Sequence, residues 1–275
     1  MLITPFDPWK GKLCTCPKKY SFSPYTGCSH ACIYCYITSY IPNAFNARLK
    51  KDLFRRLKKE LHKVDTYISM SNSSDPYTPE EEKLKATRKC LHIFKENRVA
   101  TLIITKSHLV ARDIDLLSKM KVAVSISITT LDNEKAKIIE PKAPSPSKRI
   151  DALKKLKKAA IPCSIRLDPI IPSINDEEIE SIVEKVAPYV SHVVASTIKP
   201  RNDSMKRLAK VMNVAKYEWH RHGNAFYLPK QIRFKLLERV ENACKEYGLS
   251  FAACREGYKF KAGSCDGSHL IKMIP

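Results

Sequence analysis

The sequence predicts an α/β fold, a partial (βα)6 TIM-type barrel with additional C-terminal helices. Three observations predict it. Strand-like and helix-like segments alternate about six times between residues 23 and 200, the pattern of a parallel sheet with helices outside. The strand candidates end in polar residues, and the C-terminal strand ends of such folds hold the active site. The last third carries two successive helical stretches, 203–222 and 228–247, with no clear strand between them. A closed eight-fold barrel typically takes about 250 residues, so an open barrel of about six strands is expected.

Taken in order, residues 1–22 lack periodicity and read as an N-terminal extension. Residues 23–200 form the barrel, and 201–275 form helices and a cysteine-containing tail packed on it. Residues 23–27 lead, as a first strand or its equivalent, into a cysteine loop that runs to Tyr40. From about Ala44 to Val64, Phe45, Leu49, Leu53, Leu57 and Leu61 recur every four residues and predict a helix. Thr66–Asn72 reads as the second strand and Pro79–Arg98 as its helix. Val99–Lys106 is apolar until its polar end and reads as the third strand, followed by a helix over His108–Met120. Val122–Thr129 is the fourth strand. Prolines in Pro141–Pro146 break the chain into a loop, and Ser147–Ala160 is helical. Ile161–Asp168 is a fifth strand stopped by Pro169. Asp176–Val186 is a helix capped by Asn175 or Asp176, and Ser191–Thr197 is the sixth strand. In the last helix Ile232, Leu236, Val240, Cys244 and Tyr247 share a face, which makes Cys244 a core residue. Cys90 and Cys163 also read as core.

At 275 residues the chain makes one large domain or two small ones, with a substantial core. A hydrophobic fraction of 44% argues against disorder. No apolar run of membrane-spanning length occurs, and the first residues lack the features of a secretory signal. Ten cysteines in a chain this long and core-rich are not needed as a disulfide scaffold. They point to metal binding in a reducing cytoplasm. Lys and Arg number 49 against 28 Asp and Glu, a net charge of +21, which favours a polyanionic partner, DNA or RNA, over a merely solvated basic surface. Eight of these cations and two acids, Asp52 and Glu60, fall between Arg48 and Lys63. That stretch is a candidate phosphate-contacting face, although a charge run on a helix is more often simply solvated.

The chemistry centres on Cys28-Ser-His-Ala-Cys32-Ile-Tyr-Cys35. Three close thiols suit a four-iron, four-sulfur cluster whose fourth iron has no protein ligand and binds a small molecule. Two other readings are zinc with His30 as fourth ligand and three inert buried thiols. Structural zinc usually takes two separated ligand pairs, and His30 is wedged between two of the cysteines.

C-x3-C-x2-C with an aromatic before the third cysteine resembles the signature of the radical S-adenosylmethionine (SAM) superfamily. The context Pro24-Tyr-Thr-Gly-Cys-Ser-His-Ala-Cys-Ile-Tyr-Cys-Tyr36 is similar to its spore photoproduct lyase-like branch. So are Ser71–Pro76, Ile104–Ser107, Ser125–Thr129 and Ile165–Pro169. The resemblance implies a cluster on Cys28, Cys32 and Cys35, and SAM contacts from Tyr34, Ser73, Lys106, Ser127 and Arg166. Glu140 and Arg149 flank the proline loop and are expected to help close the pocket. It further implies reductive cleavage of SAM to a 5′-deoxyadenosyl radical, with a ferredoxin- or flavodoxin-type electron donor. Tyr34 and Tyr36 are candidate radical relays. Spore photoproduct lyase returns a hydrogen from a cysteine just after the second strand, and the aligned residue here is Asn72. An amide N–H is a far stronger bond than a thiol S–H, so this chain is not expected to be a spore photoproduct lyase in the strict sense. Nucleic-acid repair or base modification is the leading expectation. A peptide substrate, or a non-catalytic metal-binding module, is the alternative.

A second constellation is Cys14, Cys16, Cys254 and Cys265. If the termini meet, these four thiols supply a structural metal or second cluster, although C-x-C and C-x10-C fit no standard spacing. The opposing reading is four free thiols.

Overall fold

Val, Ile and Leu fill the central strands of this chain and are buried on both faces, as parallel strands under helices require. The computed structural model describes residues 1–6, 13–70 and 73–271. Its strands are β1 (Thr4–Pro5), β2 (Tyr20–Phe22), β3 (Tyr25–Thr26), β4 (Arg48–Leu49), β5 (Ile68–Met70) and β6 (Thr101–Thr105). They continue as β7 (Val122–Ser127), β8 (Cys163–Ile170), β9 (His192–Thr197), β10 (His220–His222), β11 (Ala225–Tyr227) and β12 (Ser250–Ala253). The helices are α1 (Leu53–Glu60), α2 (Glu81–Leu84), α3 (Ala86–Glu96), α4 (Ile114–Leu117) and α5 (Asn133–Ile139). They are followed by α6 (Pro146–Lys158), α7 (Ile179–Val186), α8 (Asn202–Leu208) and α9 (Lys230–Glu246).

One eight-stranded sheet runs in the order β1-β2-β5-β6-β7-β8-β9-β12. β1 is antiparallel to β2, and every later neighbour is parallel. Among the described residues β1 and β12 are the sheet's edges and do not pair with each other, so the barrel is open. This is the partial barrel expected, with β12 as a further parallel strand after α9. No described helix is long and apolar enough to cross a membrane.

Several elements differ from expectation for identifiable reasons. The first parallel strand of the sheet is Tyr20–Phe22, not 23–27, because Tyr25 and Thr26 pair instead with Leu49 and Arg48. The Ala44–Val64 helix begins only at Leu53. Residues 44–49 spend their backbone on the cysteine loop, and Asp52 turns left-handed at φ 52°. Arg48 is also not a free phosphate contact, since its guanidinium donates to the carbonyls of Pro42, Asn43 and Asn46. The Pro79–Arg98 helix is broken at Lys85, with φ 50°. α5 was not anticipated; Asp132 caps it by accepting from the Glu134 and Lys135 N–H groups. α6 starts one residue early, at Pro146, with Ser145 as its cap. The fifth strand passes through Pro169 to Ile170, with an irregularity after Leu167. Asn175 caps no helix. Its amide donates to the carbonyls of Thr129 and Pro169 and accepts from Ile171 N–H. The expected 203–222 helix stops at Leu208, and a β10–β11 hairpin follows before α9.

The tail folds back beneath the sheet. Asp266 accepts from Lys19 Nζ at 2.6 Å and from the Tyr67 hydroxyl at 2.8 Å, at the N-terminal edge of β2 and β5. Gly267, at φ +85°, lies against Ser164 and His192; a Cβ there would stand 3.1 Å from Ser164 Oγ. Leu270 and Ile271 pack on Tyr67, Leu102 and Ala123.

Candidate active site

The cysteine loop is shaped by backbone constraints on both of its sides. Gly27 has φ +82°, and a Cβ there would lie 2.6 Å from the Asn46 carbonyl oxygen, so only glycine fits. That close approach lets Cys28 N–H donate to the Ala44 carbonyl at 2.7 Å. Ser29 accepts from Ala47 N–H and donates to Glu80. From the other side, Arg207 on α8 donates to the carbonyls of Ile33 and Cys35.

The loop presents Cys28, Cys32 and Cys35 to a cavity that runs down the inside of the sheet. Lys106 reaches it from the end of β6, Ser127 from the end of β7 and Arg166 from β8; Ser73 reaches it from beyond β5. Tyr34 and Tyr36 line it from the loop. The five residues expected to contact SAM therefore meet the three thiols in one space. Asn72 lies outside the described residues.

A carboxylate organises the wall beneath Tyr34. Glu140 is buried and accepts from the Tyr34 hydroxyl and from Thr129 Oγ1. Arg149 Nη2 lies 2.5 Å and Lys106 Nζ 3.7 Å from its oxygens. Burial opposes its charge, but Arg149, Lys106 and the Tyr34 hydrogen bond prevail and hold its pKa down at about 2. Arg149 also donates to the carbonyls of Pro144 and Ser127, so the proline loop and β7 are tied to the same ion pair. Burial works against the Lys106 charge as well, yet Glu140 and Cys32 raise its pKa. Along β8 the side-chain alternation brings Arg166 Nη2 within 2.8 Å of Asp168 Oδ2.

These residues fit a four-iron cluster and SAM. The three thiols line one cavity together with two cations, Lys106 just after β6 and Arg166 within β8. His30 does not complete a zinc site. It is 1% exposed, and its Nδ1 lies 3.5 Å from Asp75 Oδ2. Burial disfavours the imidazolium, but Cys28 and Asp75 outweigh burial and lift its pKa to about 10. Asp75 is itself fixed by the Tyr77 and Lys106 N–H groups and by Thr105. Among the described residues no three Cys, His, Asp or Glu groups are gathered at single-ion spacing, and a cluster, which spreads its thiolates over several irons, does not require that.

Four functional positions carried little sequence signal. Lys199 follows β9 much as Lys106 follows β6, and that parallel was the available clue. It lines the cavity and pairs with buried Glu256, which also accepts from Thr197 N–H at 2.7 Å and from Arg233 at 2.7 Å. Arg207, Arg233 and Glu256 act on partners far away in sequence, which no local pattern reveals. In the second cysteine group the Cys16 and Cys265 Sγ atoms are 3.4 Å apart, and Cys254 lines the cavity with Cys16.

Comparison with known proteins agrees with this geometry. An uncharacterized protein of Methanocaldococcus jannaschii is 36% identical over 180 residues, covering 63% of this chain and 68% of that one. An uncharacterized protein of Acidianus two-tailed virus is 30% identical over 216 residues, covering 68% and 69%. In fold, spore photoproduct lyase complexed with dinucleoside spore photoproduct matches with a TM-score of 0.68 at 15% identity, over 84% of this chain and 75% of that one. Streptococcus suis SuiB bound to S-adenosylmethionine matches with a TM-score of 0.56 at 17% identity, over 85% and 49%. The family model for the radical SAM superfamily matches residues 22–186. That match spans more than half of the chain and includes the cysteine loop, so the chain belongs to the radical SAM superfamily, whose members use a [4Fe–4S] cluster and S-adenosylmethionine.

Proposed function

We propose that this protein applies radical SAM chemistry to nucleic acid, reversing a lesion or modifying a base. The observation that carries the substrate class is the rim beside the cysteine loop. The Arg201 guanidinium lies 5.4 Å from the ring centres of both Tyr36 and Tyr40, and Tyr40 is 49% exposed. Next to it the β10–β11 hairpin exposes His220, Arg221 and His222, and Phe226 N–H fastens the hairpin to the Pro200 carbonyl at 2.9 Å. Arg201, Arg221 and Phe226 line one surface hollow. Cations next to exposed rings suit phosphate contact and base stacking together. The +21 net charge extends that attraction over the whole surface.

When bound, the cluster and SAM supply a 5′-deoxyadenosyl radical that takes a hydrogen atom from the substrate. The chain positions and shields. Cys28, Cys32 and Cys35 hold the cluster. Lys106 and Arg166 offer charge to the SAM carboxylate, and Ser73 and Ser127 offer hydroxyls. The ionised Glu140 holds Tyr34 and Lys106 against the cavity wall, while Arg149 seals the proline loop over it. An external ferredoxin- or flavodoxin-type reductant fits this chemistry.

A peptide substrate is the second reading, favoured by the fold likeness to SuiB bound to its precursor peptide SuiA, with a TM-score of 0.59 at 17% identity. Anaerobic purification followed by identification of copurifying polymer separates the two. Nucleic acid is expected, with affinity falling by a log–log slope of about −0.9 per phosphate neutralised on duplex DNA. Arg201→Ala and Arg221→Ala are expected to weaken it. Peptide alone, with no nucleic-acid binding at low salt, contradicts the proposal.

A further inference from the structure

Three of the ten cysteines hold the cluster, and Cys90, Cys163 and Cys244 are packed in the core. The other four behave as neither. Cys14 and Cys16 lie ahead of β2, toward one edge of the open sheet, and Cys254 directly follows β12 at the other edge. Cys265 sits in the tail that folds back beneath the sheet. All four thiols are free. The Sγ atoms of Cys16 and Cys265, 249 positions apart in sequence, are 3.4 Å from each other. Cys14 precedes Cys16 by two residues, and Cys254 lines the same cavity as Cys16.

Buried cations stand beside this group. Lys19 Nζ is 3.6 Å from Cys16 Sγ, and Arg166 lines the cavity with Cys254. Grouped thiolates need such counter-charge inside a protein. Residues 261–269 (Lys-Ala-Gly-Ser-Cys-Asp-Gly-Ser-His) hold one apolar side chain apart from the cysteine. Burial of hydrocarbon therefore contributes little to fixing this segment, yet Cys265 and Asp266 are buried. Polar contacts hold it instead: Asp266 accepts from Lys19 Nζ and the Tyr67 hydroxyl, and Cys265 Sγ meets Cys16.

We propose that Cys14, Cys16, Cys254 and Cys265 form a second thiophilic metal site, a tetrathiolate centre that fastens both ends of the chain across the open side of the barrel. Among the described residues no three such groups lie at single-ion spacing, so the ligand chemistry is that of an iron–sulfur unit, which spreads its thiolates over several irons. The site's role is structural, since it ties the segment before β2 to the segment after β12, which no strand pairing joins among the described residues.

The test starts from the full chain with Cys28→Ala, Cys32→Ala and Cys35→Ala combined, isolated anaerobically and analysed for zinc, iron and acid-labile sulfide. The proposal expects retained iron with acid-labile sulfide; zinc without sulfide overturns it. Adding Cys16→Ala and Cys265→Ala is expected to abolish it. A triple variant without metal, or unchanged metal after the two further substitutions, overturns the proposal. If a variant does not fold, the wild-type protein decides. Cys14, Cys16 and Cys254 are only partly buried, so without metal they should alkylate readily. Alkylation of these thiols that is slow until a strong chelator is added supports the site. Rapid alkylation without chelator, or a Cys16–Cys265 disulfide in the isolated protein, overturns it.

Discussion

Arg207 Nη2 donates to the carbonyl oxygen of Cys35 at 2.8 Å, and its Nε donates to that of Ile33 at the same distance. One guanidinium from α8 thus fixes the backbone on both sides of Tyr34, between the second and third cluster cysteines. Asp203, 3.3 Å from Nη1, helps to aim the planar group. Arg207→Ala is expected to cost about 3–6 kcal/mol, the scale of two hydrogen bonds from a charged donor, and to lower iron occupancy. Arg207→Lys lacks the rigid fork and is expected to recover little of either. Iron content and thermal unfolding of both variants check this; wild-type iron content and stability in Arg207→Ala would refute it.

The Glu140 ion pair makes stability depend on acid in a defined direction. Its folded pKa, about 2, lies below the ordinary 4.5. Its contribution is therefore complete above 4.5 and is lost as pH falls through that window toward 2. Glu140→Gln leaves Arg149 buried without its charge partner and is expected to cost about 3–5 kcal/mol at neutral pH. The variant should also lose less further stability on acidification than the wild type does. Melting temperature against pH for the two proteins measures the difference, and parallel curves would contradict the assignment.

The cluster triplet and the strand-end residues were legible because both are local patterns. Three thiols in eight residues, and a polar residue closing an apolar run such as Val99–Lys106, need no tertiary knowledge. The partial barrel followed from the same alternation. What stayed hidden was set by distant partners. The leucine spacing from Phe45 to Leu61 is helical, yet the first part of it lies extended because Cys28 and Ser29 claim its backbone. Ser250–Ala253 is too short to announce a strand, and its pairing with β9 makes it one. Asn175 looks like a helix cap in sequence and instead braces the chain after β7 and β8 from inside. Glu256 had no local feature to mark it, because its partners Lys199 and Arg233 are brought in by β9 and α9.

Substrate identity yields a further expectation. Cys163, the one thiol on the fifth sequence-predicted strand, is buried and directs its Sγ to the Ile161 carbonyl at 3.2 Å, away from the cavity residues. It is not placed to replace the thiol that Asn72 lacks. Given reduced protein, SAM and the spore photoproduct dinucleotide, uncoupled 5′-deoxyadenosine with little repair is expected. Clean multiple-turnover conversion to two thymines would show that another residue returns the hydrogen.

The central claim is that Cys28, Cys32 and Cys35 carry a four-iron cluster with one iron open to SAM. Its most direct test is electron paramagnetic resonance of the reduced, anaerobically reconstituted protein, recorded with and without SAM alongside iron counting. The account expects about four irons per chain at this site, loss of the SAM-responsive signal when any of the three cysteines is replaced by alanine, and a changed wild-type spectrum when SAM is added. A spectrum that SAM leaves unchanged, or a SAM-responsive signal that survives replacement of Cys32, contradicts it.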